Sequence, residues 1–175
     1  MAKVTMNQVL EALQGGVGSL VFRQRPDGTI IISGAPTPRK GKASPKQKAH
    51  RQRFKQASRY AKNASKLHPI YGELAATVGA SSWKSAYNYA LSDWFEAPVI
   101  HRIERAGHFV RVQASDNVLV AKVQVSVLDE AGTVLETGEA VRAGEDWWEC
   151  PIHATGKTIL AEASDLPGHA TRLIF

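Results

Sequence analysis

The chain is poor in cysteine, in long apolar runs and, over its first third, in acid. Cys150 is the only cysteine among 175 residues, so no internal disulfide can form and a four-thiolate zinc site is excluded. No stretch approaches the roughly 18 consecutive apolar residues of a membrane-spanning helix. The start, MAKVTMNQVLEALQGG, has no basic segment leading into an apolar one, so a Sec signal peptide is not expected. These absences point to a cytoplasmic protein or a component of an assembled particle. With 43% hydrophobic residues the chain can still build a packed core, as one ordinary domain or two small ones.

Acid is missing where base accumulates. Residues 1–66 carry 14 Lys and Arg against Glu11 and Asp27, a net of +12. Residues 67–175 carry the other 8 basic residues against 14 acidic ones, a net of −6, which leaves the chain at +6. The segment from Arg39 to Lys66 has 11 basic residues and no acidic one: Arg39, Lys40, Lys42, Lys46, Lys48, Arg51, Arg53, Lys55, Arg59, Lys62 and Lys66. Such polarity fits a basic element that meets an external polyanion, or the acidic part of a neighbouring copy.

Local patterns divide the chain at about residue 97, into a basic helix and hairpin region (1–97) and a strand-rich region (98–175). Thr5 and Gln8 form a capping-box pair, Met6, Val9, Leu10 and Leu13 share a helical face, and Gly15-Gly16 would end that helix. SLVFRQRPDGTIIIS reads as two strands around the turn Pro26-Asp27-Gly28. Residues 34–44, GAPTPRKGKAS, read as an extended basic arm. Ser44-Pro45 is a helix start with Ser as N-cap and Pro at N1, and the helix is expected over 45–66. Its weakly apolar stripe is Gln47, His50, Phe54, Ala57, Ala61 and Ala64, while Lys48, Arg51, Lys55, Arg59, Lys62 and Lys66 lie on other faces. A short helix over 70–78 follows the His68-Pro69 break. Ser82 then caps a further helix whose stripe is Trp83, Ala86, Tyr87, Ala90, Leu91 and Trp94.

From Val99 the period changes to two. VIHRIER, HFVRVQA, NVLVAKVQVSVLD, TVLETGEAVR, DWWECPI, KTILAEAS and HATRLIF are seven strand-like segments separated by turn chemistry, which predicts an antiparallel sandwich. In the third segment Leu119, Ala121, Val123, Val125 and Val127 form the more apolar face, the one expected to be core.

The succession LDEAGTVLETGEAV, DWWEC and ILAEASDLPGHATRLIF resembles the bacterial immunoglobulin-like modules, with His169 where Asn is common. That resemblance implies a fold and no activity, because the fold hosts adhesins, enzyme appendages and phage structural proteins alike. The pair GGVGSLVFRQRPDGTIIISGAP and SPKQKAHRQRF resembles an uncharacterised bacterial family with a hairpin, a basic arm and an S-x-K-Q-x-x-x-R-x-x-F helix. It implies domain limits only.

Catalytic and cofactor patterns are not found. His50, His68, His101, His108, His153 and His169 show no H-E-x-x-H or H-x-H spacing, and no G-x-S-x-G or phosphate-binding glycine motif occurs. Asp116, Asp129 and Asp165 sit at loop ends, where calcium ligation is conceivable on chemistry alone. Trp147 and Trp148 are adjacent and so point to opposite faces of a strand; the plainer role for the outer one is packing against the Trp83/Trp94 helix. No metal and no cofactor is expected.

The expectation is therefore an α+β chain, N-terminal helix, hairpin and basic helices followed by an immunoglobulin-like sandwich. Its expected role is that of a non-enzymatic structural or assembly protein docking through its basic arm and helix on an acidic protein surface. The alternative is sequence-independent nucleic-acid binding by the same segment. The bland reading of the basic face is a solvated helix surface, and a membrane partner is disfavoured because Phe54 is the helix's only large apolar residue before its last turn.

Overall fold

A computed structural model describes residues 15–25, 28–37, 41–78 and 85–175. The expected N-terminal helix, the turn residues Pro26 and Asp27, Arg39 and Lys40 of the arm, and Ser82 and Trp83 lie outside the described residues.

The first described unit is a three-stranded antiparallel sheet, β1 (Gly15–Val17), β2 (Leu20–Gln24) and β3 (Ile30–Gly34). β2 and β3 form the expected hairpin, with Phe22 opposite Ile32 and Gln24 opposite Ile30. Gly28 closes its turn at φ 79°, a conformation open to glycine, and its amide donates to the Arg25 carbonyl at 2.9 Å. Gly15 and Gly16, expected to stop a helix, instead begin β1, because they pair with Phe22 and Val21 across the sheet.

Three helices follow: α1 (Pro45–Leu67), α2 (Pro69–Thr77) and α3 (Ala86–Asp93). α1 starts where Ser44 and Gln47 close a capping box, Gln47 N donating to Ser44 Oγ at 3.3 Å and Ser44 N to Gln47 Oε1 at 3.0 Å. It ends before Pro69, which has no N–H to continue the ladder. Of the weakly apolar stripe, only Ala57, Ala61 and Ala64 are buried. His50 and Phe54, nearer the N-terminus, remain exposed. These alanines let α3 come close, and Tyr71 and Ala90 complete the buried centre. The third helix begins later than expected, with Ser85 rather than Ser82 as its N-cap, accepting from Asn88 N at 3.4 Å.

The rest is two four-stranded antiparallel sheets that share one core, a β-sandwich arrangement. One has the order β4 (Val99–Ala106), β5 (Phe109–Ser115), β9 (Trp147–Pro151), β8 (Val141–Arg142). The other is β11 (Ala170–Ile174), β10 (Thr158–Asp165), β6 (Val120–Leu128), β7 (Val134–Glu139). Val110, Val112 and Cys150 from the first meet Val123, Val125, Val127, Ile159 and Ala161 from the second.

Two features depart from the expected strands. TVLETGEAVR is one segment in the periodicity but two strands in space, with β7 on one sheet and β8 on the other. The chain crosses between them at Ala140, which is buried and donates its amide to Val123 O at 2.9 Å. In β6, Val123, Val125 and Val127 face the core as expected, but Val120 is buried and Ala121 exposed. A register irregularity opposite Ser164 and Asp165 inserts one extra residue there, which reverses the alternation upstream.

The helices rest on one end of the sandwich. Val118, between β5 and β6, and Leu166, between β10 and β11, pack into the helical cluster with Tyr60, Tyr87 and Leu91.

Candidate polyanion-binding helix face

The alanines that bury α1 also decide which side it shows to solvent. At about 100° per residue, Lys48, Arg51, Lys55, Arg59, Lys62 and Lys66 recur at intervals of three and four and fall on one stripe away from Ala57, Ala61 and Ala64. All of them are exposed. The stripe is roughly 27 Å long at about 1.5 Å per residue. Gln52, Gln56 and Asn63 flank it.

The remaining expected residues separate from this stripe. Lys42 is exposed just before the helix, and Lys46 and Arg53 lie on another side of α1. Arg53 is turned inward: its guanidinium carbon lies 5.1 Å from the Phe95 ring centroid and 5.9 Å from that of Trp94, and Nη2 donates to Phe95 O at 3.5 Å. Phe54 stacks on the same Phe95, with centroids 6.4 Å apart. Arg53 is therefore a fastener between α1 and the segment after α3. Arg39 and Lys40 are outside the described residues.

In the sandwich five cations are ion-paired, while Arg105 and Arg142 donate to backbone carbonyls. Arg102 pairs with Glu104 at 2.8 Å, Arg111 with Glu149 at 2.9 Å, Lys122 with Glu139 at 3.0 Å and Lys157 with Glu130 at 3.7 Å. Arg172 pairs with Glu162. Among the described residues, none of the six stripe cations makes a salt bridge.

The stripe is held in place by hydroxyl contacts beneath it. Ser58 Oγ and Tyr87 Oη are 2.9 Å apart, Tyr60 and Tyr71 hydroxyls 2.8 Å apart, and Tyr71 donates to the carboxylate of Asp93. Burial pushes both tyrosines above the usual phenol range, so they stay neutral donors.

The other candidates resolve into structural parts. Asp129 accepts from Ala131 N and Thr133 N at 2.9 and 2.8 Å, and Asp165 from Gly168 N and His169 N at 2.7 and 2.6 Å, so both fold their own turns. No group of three metal-ligating side chains exists among the described residues. The structure does bring His108 and His153 together, with ring centroids 6.0 Å apart, a proximity that their separation in sequence does not show. Cys150 is buried, and burial raises its thiol pKa. Trp148 packs on the sandwich core, and Trp147 lies under the guanidinium of Arg111 at 4.9 Å. Trp94 meets Phe95 and His169, so the α3 end reaches the sandwich through a histidine. No described helix is long and apolar enough to cross a membrane.

No family model, no curated protein and no solved structure matches the chain. The functional reading consequently rests on the α1 face.

Proposed function

We propose that this is a non-enzymatic docking protein of a larger assembly, in which the sandwich and helical cap hold the basic stripe of α1 against an extended polyanion. Nucleic-acid phosphate is the first partner. One observation carries the reading: the sandwich cations are engaged within the chain, Arg102, Arg111, Lys122, Lys157 and Arg172 by ion pairs and Arg105 and Arg142 by backbone carbonyls, whereas the six cations of the stripe make no salt bridge among the described residues. A row of lysines and arginines flanked by amides suits phosphate, since protein interfaces are depleted of lysine at their centre and protein–DNA interfaces are polar and positive.

Docking of the stripe on the sandwich of a neighbouring copy would have to displace the ion pairs of Glu104, Glu130, Glu139, Glu149 and Glu162 or use Glu145 and Asp146, which make no ion pair among the described residues. A second reading is docking on an acidic surface of another protein. It is favoured by Phe54 and Leu67, 45% and 73% exposed on α1, which could supply apolar anchors.

We further read the sandwich as immunoglobulin-like. The order β4-β5-β9-β8 facing β11-β10-β6 supports this, as it parallels the ABED and CFG sheets of that fold, with β7 as an added strand on the second sheet.

Fluorescence anisotropy with labelled single-stranded and duplex DNA tests the function. Six phosphate contacts should weaken binding by about a thousandfold between about 50 and 200 mM salt. Reversing charge at Lys55, Arg59 and Lys62 together should abolish it. Absence of binding to either form at low salt overturns the nucleic-acid reading, and capture of an acidic protein by the wild type but not the reversed variant would establish the second.

A further inference from the structure

Two buried oxygens at the joint between helices and sandwich lack a donor. Asp93, the last residue of α3, is fully buried; one of its carboxylate oxygens, Oδ2, accepts from Tyr71, and the other, Oδ1, has no partner. Asp116 enters from the loop between β5 and β6. Its Oδ2 accepts from Val118 N at 3.3 Å and Leu119 N at 3.1 Å, and its Oδ1 is buried without a partner. The residues next to them bridge the joint, Asn117 Nδ2 donating to Ser92 Oγ at 3.4 Å, so the two carboxyl groups enter it side by side. Ionised carboxylates are acceptors only, so two facing each other leave both oxygens unsatisfied and set like charges together away from water. A single proton converts one acceptor into a donor and satisfies both.

We propose that Asp93 and Asp116 share a proton, and that this proton is a structural ligand fastening the helical cap to the sandwich. Asp93 is the member that carries it. Asp93 is fully buried and has no amide donor, whereas Asp116 keeps two backbone amides on its Oδ2. On the Asp116 side, Arg142, Glu145 and Asp146 line the same cavity as Asp116. From α1 the nearest titratable group is Tyr60, from α2 Tyr71 and His68, whose ring meets Tyr71 edge-on with centroids 6.1 Å apart. From the turn after β10 come Asp165, itself a buried carboxylate, and His169, whose Nδ1 lies 2.8 Å from Asp165 Oδ2. Arg53 is occupied on the rings of Trp94 and Phe95.

Burial, with the neighbouring carboxylates Asp116 and Asp165 adding to it, pushes the Asp93 carboxyl up to about 7, against the bond from Tyr71. The folded state thus binds the proton more tightly than the unfolded chain, whose carboxyl titrates near 3.8. The stabilisation is complete below that lower value and is lost as pH rises towards about 7, where the joint becomes charged. The inference is independent of what the α1 stripe binds.

Thermal unfolding of the full chain against pH, with infrared difference spectra, is the test. The wild-type midpoint should fall by at least about 5 °C between about pH 5 and pH 8. Asp93→Asn should flatten that dependence and melt above the wild type at the alkaline end. A protonated-carboxylic-acid carbonyl band should titrate near neutrality in the wild type and be missing from D93N. Asp116→Asn should likewise flatten the profile, which keeps the test decisive should D93N fail to fold. A pH-independent wild-type midpoint, a band that persists in D93N, or alkaline stability restored by calcium or magnesium would overturn the proposal, the last by showing that a cation and not a proton bridges the pair.

Discussion

Trp94 meets His169 edge to face, with ring centroids 5.7 Å apart and planes at 77°. The tryptophan is the C-cap of α3 and the histidine belongs to the turn after β10, where Asp165 holds its Nδ1 at 2.8 Å. A buried carboxylate therefore orients the ring on which the helical cap rests. Trp94→Ala should cost about 2–3 kcal/mol, less than a fully buried tryptophan because the side chain is half-exposed. Urea titrations followed by helical circular dichroism and by aromatic signals should then lose coincidence, the helices melting before the sandwich. Coincident transitions with an unchanged midpoint would show that the contact does not couple the two parts.

Glu136 serves as an acceptor on β7 for the segment after β9. Its Oε2 takes the amides of Ala154 at 2.6 Å and His153 at 2.8 Å, and the Ala154 bond foremost holds the carboxyl below its ordinary 4.5. A depressed folded-state pKa stabilises the fold above the unfolded value and ceases to do so as pH falls through the folded one. Glu136→Gln should destabilise the protein at neutral pH, and the difference from wild type should vanish on acidification in paired denaturation series.

Gly156 has no room for a side chain. A Cβ there would meet the Leu128 carbonyl oxygen and come within 2.6 Å of Val127 Cγ1. Because the first obstacle is backbone, Gly156→Ala should cost about 1–3 kcal/mol. The denaturation midpoint should fall with the m-value unchanged.

Cys150 should behave as an inert core thiol. It is completely buried, and burial, with Glu136 adding to it, lifts its pKa. A thiol-reactive dye should label the native protein only at the rate of unfolding and label it fully in denaturant. Prompt labelling would contradict the core placement.

The elements legible in the sequence are those whose limits are set by neighbours along the chain. Ser44-Pro45 at one end and His68-Pro69 at the other bracket α1 to within a residue, because a capping box and a missing N–H act over three or four positions. The β2–β3 hairpin and the succession of sandwich strands were legible from turn residues in the same way. The basic stripe could be read off as well, since periodicity alone aligns Lys48 through Lys66.

What eluded the sequence depends on contacts between distant segments. The break at Ala140, which sends β7 and β8 to different sheets, and the irregularity that exposes Ala121 follow from pairing with β9 and β10. Asp116 and Asp165 looked alike as loop acids. Only the packed structure shows one entering the joint beside Asp93 and the other orienting His169 under Trp94.

By itself, then, the sequence determined that the chain carries a basic helix of defined length, followed by short alternating strands, because capping, turn formation and periodicity are local and cooperative over a few residues. Tertiary structure decided which cations stay unpaired and which acids lose their water. Both depend on how closely groups far apart in the chain approach, and electrostatic and desolvation energies change steeply over those few ångströms.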